Sequence, residues 1–156
     1  MGCDIHLFVE TKDPAGGWVS RDIWLPRDED GIIDAEDLYE PNRNYDLFAI
    51  LANVRNRSID PLTPINGPRG FPDDASPEVR EAYEWWDPDG HSHSWFTLRE
   101  LLDFDWRKTV VNKTMEQTYR ELAGDFWTDT IPRLIDLAKQ HGVSHDDTRI
   151  VFWFDN

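Results

Sequence analysis

Two stretches decide the fold between them: "CDIHLFVETK", Cys3–Lys12, and "TRIVFWFDN", Thr148–Asn156. In the first, Ile5, Leu7 and Val9 alternate with Asp4, His6 and Phe8, which is the two-residue period of a strand. Both sets include apolar side chains, and the second stretch is apolar almost without interruption. Strands covered on both faces lie inside a sheet rather than at its rim, so the two stretches are expected side by side. That pairing brings the ends of the chain together and sets Asp155 near the level of Asp4 or His6, in a register the pattern leaves open.

Outward from the first strand, "DPAGG" (Asp13–Gly17) is a turn and "WVSRDIWL" (Trp18–Leu25) reads as the return strand of a hairpin. The acidic run from Pro26 to Pro41 reads as an excursion between two prolines. Leu47, Ile50, Leu51 and Val54 recur at helical spacing, with Asn44 as the N-cap. From Arg57 to Asp74 a Pro-, Gly- and Asp-rich loop follows, long enough to suggest a function.

Ser76, Pro77 and Glu78 are N-cap, first-turn proline and early acid of a helix through about Trp86, which "DPDG" breaks. Ser94 or Thr97 caps a further helix bearing Leu98, Leu101 and Leu102, and Glu100 stands at the capping-box position after Thr97. A last helical region runs from about Met115 to His141, kinked at Gly124 or Pro132, and stops at Gly142. Strands at the two ends with helices between them imply an α+β fold: a small antiparallel or mixed sheet, made of the N-terminal hairpin and the C-terminal strand, against several helices. Residues 1–156 suit one domain.

Asp and Glu outnumber Lys and Arg by 31 to 16, a formal charge of -15, which opposes extended nucleic-acid binding. A small phosphorylated ligand remains compatible, because a few arginines and backbone N–H groups hold one locally. One cysteine, Cys3, makes no internal disulfide, and no apolar run approaches bilayer length. A cytoplasmic chain without a membrane partner is the expectation. Eight Trp, eight Phe and four Tyr imply an aromatic core.

Four constellations carry chemistry. Asp4 and His6 share one strand face, where they bind a metal or substrate, or else satisfy each other as buried groups. His91 and His93 repeat the spacing in a Gly/Ser-rich entry to a helix; an extended His-x-His aims both rings to one side, whereas a capping loop leaves them incidental. With a metal, Asp4, His6, His91 and His93 form a ligand set for one divalent Zn, Mn or Fe and a water nucleophile. Without one, His6, His91 and His93 act as general base and acid on a phosphodiester.

In "NRNYDLF", Asn42 and Asn44 read polar edges, Arg43 contacts phosphate and Tyr45 stacks on a base; the alternative is helix capping and a surface salt bridge. Arg69 adds positive charge from the long loop, and Trp85, Trp86, Trp95 and Trp153 flank a site and stack on a ligand or pack in the core, with Trp95, beside the histidines, the foremost ligand-stacking candidate. No phosphate-binding glycine loop, zinc-protease motif or nucleophile elbow is present.

"MGCDIHLFVE", "NRNYDLFAILANVRN", "PRGFPDD", "GHSHSWFTLREL" and "RIVFWFDN", in that order, resemble a family of small phage-encoded proteins of unassigned function. The resemblance implies action in a host bacterial cytoplasm, where such proteins often counter host defence. Two activities are similar to what these residues offer: cleavage of a nucleotide immune signal of the cyclic dinucleotide type, and sequestration of one such as a cyclic ADP-ribose derivative. An acidic surface that mimics nucleic acid is a third reading. A homo-oligomer sharing a cavity between subunits is a way for so small a chain to enclose a ligand.

Overall fold

A computed structural model describes residues 2–21, 43–57, 60–112 and 114–156. Residues 22–25 of the expected return strand, the acidic run 26–41 and Asn42 lie outside them.

Both deciding stretches are strands, and they pair. β1 (Asp4–Lys12) runs antiparallel to β6 (Thr148–Asp155) from Asp4 opposite Asp155 to Thr11 opposite Thr148. β2 (Trp18–Ser20) lies on the free edge of β1. On the far edge of β6 lies β3 (His91–Thr97), which gives a four-stranded antiparallel sheet in the order β2-β1-β6-β3. The fold is α+β, with the terminal strands at its centre.

Sequence had read the β3 segment as a loop entering a helix, and it is an edge strand instead. The apolar β6 needs a partner on each side for its backbone groups, and residues 91–97 supply the second. Tertiary pairing overrides the weak strand preference of "HSHS".

The pleat sorts the core into two layers. Ile5, Leu7 and Val9 of β1 and Ile150, Phe152 and Phe154 of β6 face the main core. It is completed by α1 (Tyr45–Ala52), α3 (Leu98–Asp103), α4 (Tyr119–Ala123) and α5 (Ile131–His141). On the other face Phe8, Val151 and Trp153 pack with Val79, Tyr83 and Trp86 of α2 (Pro77–Trp86). The same face buries Glu10 and Arg149, joined at 2.7 Å, with the Ser76 N–H donating to Glu10 and Arg149 lying over the Trp18 ring.

The caps read from sequence are present: Asn44 accepts from the Leu47 N–H, Ser76 from the Val79 N–H, and Thr97 and Glu100 form a reciprocal capping box. The expected helix from Met115 is not one continuous element. Met115–Thr118 is β5, which pairs in a hairpin with β4 (Thr109–Asn112). Thr118 then caps α4, Gly124 ends it at φ +56°, and a π-helical turn (Phe126–Thr130) leads into α5. Thr118 accepts from the Glu121 N–H, and this competing cap is why helix begins only at Tyr119.

Among the described residues, no helix is long and apolar enough to cross a membrane.

Candidate functional site at the sheet end

Antiparallel register brings the start of β1, the end of β6 and the start of β3 to one end of the sheet. His6 stands opposite Trp153, so Asp155, two residues further on the same face, is its diagonal neighbour. The His6 ring uses this offset: its Nε2–H donates to Asp155 Oδ2 at 2.7 Å. The two side chains are only 12% and 16% exposed, and the ring stacks on Trp86 at 3.9 Å between centroids. A carboxylate can only accept here, so it fixes the ring with its proton on Nε2 and leaves Nδ1 as a lone-pair acceptor. No hydrogen-bond partner for Nδ1 is seen among the described residues.

Beside this pair, Arg43 forks onto Asp4, with Nε at 2.8 Å from Oδ1 and Nη2 at 3.3 Å from Oδ2. That hydrogen bond holds the Asp4 carboxyl below its ordinary pKa. The guanidinium lies against Gly2, where a Cβ would stand 2.0 Å from Nη1, so a side chain there would push aside the exposed end of Arg43.

His93 reaches the same face. Its ring is 5.8 Å from Trp153 and 5.0 Å from Tyr83, while His6 is 6.3 Å from Trp153, so the two histidines flank one indole. Burial first, and the neighbouring His91 second, lower the His93 pKa. Trp153 is fully buried, and its Nε1–H has no acceptor among the described residues.

His91 departs from the expected arrangement. Ser92 has φ +55°, and the pairing of β3 with β6 slips between His91 and Ser94. This bulge turns the rings to opposite faces: His91 stacks toward Phe154 on the main-core side, His93 toward Trp153. The metal set Asp4, His6, His91 and His93 is therefore not assembled. Among the described residues no three His, Cys, Asp or Glu lie together as a metal-holding group.

The remaining residues singled out by sequence divide. Arg43 is held on the His6 face by its ion pair with Asp4. Asn44 is a helix cap whose Nδ2 donates to Leu122 O at 2.8 Å, so both ends of its amide are engaged. The Tyr45 hydroxyl accepts from the Cys3 N–H at 3.2 Å on the main-core side, where burial raises the Cys3 pKa against the opposing effect of Arg55. Arg69 forks onto Glu100 and donates to Trp95 O, and it covers the Trp95 ring at 4.8 Å, so both act as packing groups.

Trp86 and Trp153, offered by sequence either as rings flanking a site or as core, stand as walls around the histidines, and Tyr83 joins them without any local mark, because the sheet face and α2 bring it in. A cavity of about 300 Å³ lies elsewhere, lined by Phe104, Trp106, Trp127 and Arg120 among others and by no histidine.

Compared with protein-family models, with curated proteins and with solved structures, the chain matches none.

Proposed function

We propose that the His6 face of the sheet end binds a small nucleotide and cleaves a phosphodiester in it, as a phage counter-defence protein would cleave an immune signal of the cyclic dinucleotide type. The observation that carries this reading is the His6–Asp155 pair: a shielded imidazole, oriented by a carboxylate, with one ring nitrogen left to take a proton. In the proposed reaction Nδ1 of His6 takes the proton of a ribose 2′-hydroxyl as that oxygen attacks phosphorus. The bond from phosphorus to the leaving ribose oxygen breaks, and that oxygen takes a proton from the protonated form of His93, across the Trp153 indole, which its lowered pKa makes a stronger acid. Arg43 leaves Asp4 for the phosphate, a bidentate exchange its exposed position permits. His91 has no part in this face.

A rival reading, sequestration of a nucleotide without cleavage, is favoured by the buried Trp153 Nε1–H, a donor that a ligand oxygen would satisfy. One experiment separates the two. The protein is incubated with cyclic nucleotides and ADP-ribose derivatives, with and without divalent metal, heat-denatured, and the released molecules are identified by mass spectrometry. Linear products are expected, with turnover lowered roughly 10²-fold or more in His6→Ala. Asp155→Asn should also lower it, because an amide NH₂ facing Nε2 reverses the ring tautomer. Intact ligand recovered from wild type overturns cleavage in favour of sequestration; no ligand at all overturns both and leaves the acidic mimic.

A further inference from the structure

On the other face of the same sheet end, four side chains form a directed chain of hydrogen bonds. Arg55 Nη2–H donates to Asn156 Oδ1 at 3.2 Å, and because a guanidinium only donates, the amide oxygen must be the atom at that point. The same oxygen lies 3.4 Å from His91 Nε2. It can only accept, so the ring proton sits on Nε2 and Nδ1 carries a lone pair. Nδ1 lies 3.0 Å from Ser92 Oγ, whose hydroxyl therefore donates to it. Hydroxyl, base and orienting group stand in the relation that activates a serine.

Ser92 has two further marks of such a residue. It holds φ +55° without being glycine, a left-handed conformation concentrated at functional sites. It also lies in the bulge, outside the paired register of β6, and is partly exposed.

We infer that Ser92 is a nucleophile toward carboxylic esters, with His91 as its general base and Asn156 as a positioning residue. A neutral ester suits a chain of net charge -15 better than an anionic one at this point, since Arg55 is already turned onto Asn156 and the Tyr45 ring. Ser92 Oγ attacks the carbonyl carbon while its proton passes to His91 Nδ1. The tetrahedral adduct collapses with cleavage of the ester C–O bond, and the departing alkoxide takes that proton and leaves as the alcohol. Water then attacks the acyl-serine by the same route, releasing the carboxylic acid and restoring Ser92. This activity uses neither His6 nor Asp155 and is independent of the nucleotide reading.

The test uses p-nitrophenyl acetate and the full chain, with acid quenching and peptide mass spectrometry. An acetyl group on Ser92 is expected, formed roughly 10²-fold or more slowly in His91→Ala. Asn156→Ala should slow it as well, whereas Asn156→Asp, which keeps the acceptor, should retain it. Ser92→Gly relieves the positive φ and so keeps the fold while removing Oγ; it should release no p-nitrophenol above a denatured control, yet leave nucleotide cleavage unchanged. The inference fails if wild type carries no acetyl on Ser92, if His91→Ala acetylates at the wild-type rate, or if Ser92→Gly releases p-nitrophenol as wild type does.

Discussion

His93 titrates in the opposite sense from a histidine that has gained a partner. Burial and the nearby His91 lower its pKa in the folded chain, so the unfolded chain takes up the proton first. Its contribution to stability is present above about pH 6.5 and is lost as pH falls through the lowered folded value. Urea midpoints measured between about pH 7.5 and pH 5 should therefore fall for wild type and change less for His93→Gln. Glu10 is a second residue whose effect is set by surroundings: it and Arg149 are 0% and 3% exposed. Glu10→Ala takes one of two carboxylates from the Arg149 guanidinium, leaving Asp74 on Nη1 at 2.9 Å, and should cost about 1.5–3 kcal/mol by equilibrium unfolding, whereas Glu10→Ala with Arg149→Met should recover part of that loss. At this scale the sequence was legible where one strand sufficed: alternation alone put Asp4 and His6 on one face. The tie of His6 to Asp155 spans 149 residues and depends on a register that no local pattern encodes. Ser92 carries no local mark in the sequence, because its left-handed backbone arises only when β3 docks on β6.

The helices were readable wherever a side chain caps its own backbone. Asn44, Ser76 and Thr97 each accept from the N–H three residues on, an interaction complete within one turn. Thr97 is the clearest case, since Glu100 returns the bond to its backbone and also holds Arg69. Thr97→Ala should destabilise the protein by about 1 kcal/mol, read from a lower denaturant midpoint at an unchanged slope. The strands divide differently. β1 and β6 declare themselves by apolar content, but β3 is half polar and β5 begins where a helical spacing also fits, so each takes its form from a partner strand. Part of the candidate site rests on one of these: His93 faces His6 only because β3 is a strand with a bulge. A loop entering a helix would have left that placement undetermined.

The net charge of -15 belongs to the whole molecule rather than to any pair. Self-repulsion of this size destabilises the compact state, and salt screens it between exposed groups while leaving the buried Glu10–Arg149 pair largely untouched. The thermal midpoint should thus rise as NaCl is raised from about 0.05 M to 0.5 M, and a calorimetric series would reveal it. The α+β architecture was legible from the two terminal stretches because burial on both faces is a property of composition. The placement of His91 and His93 on opposite faces was not, since it follows from the slip at Ser92. The central pairing of β1 with β6 also has a consequence in time. During synthesis His6 precedes Asp155 by 149 residues, so the carboxylate that orients its ring is absent until that much more chain has been made. In that interval one edge of β1 offers its apolar faces and unpaired backbone to whatever strand it meets, which makes the growing chain a client for chaperones and a hazard to its neighbours.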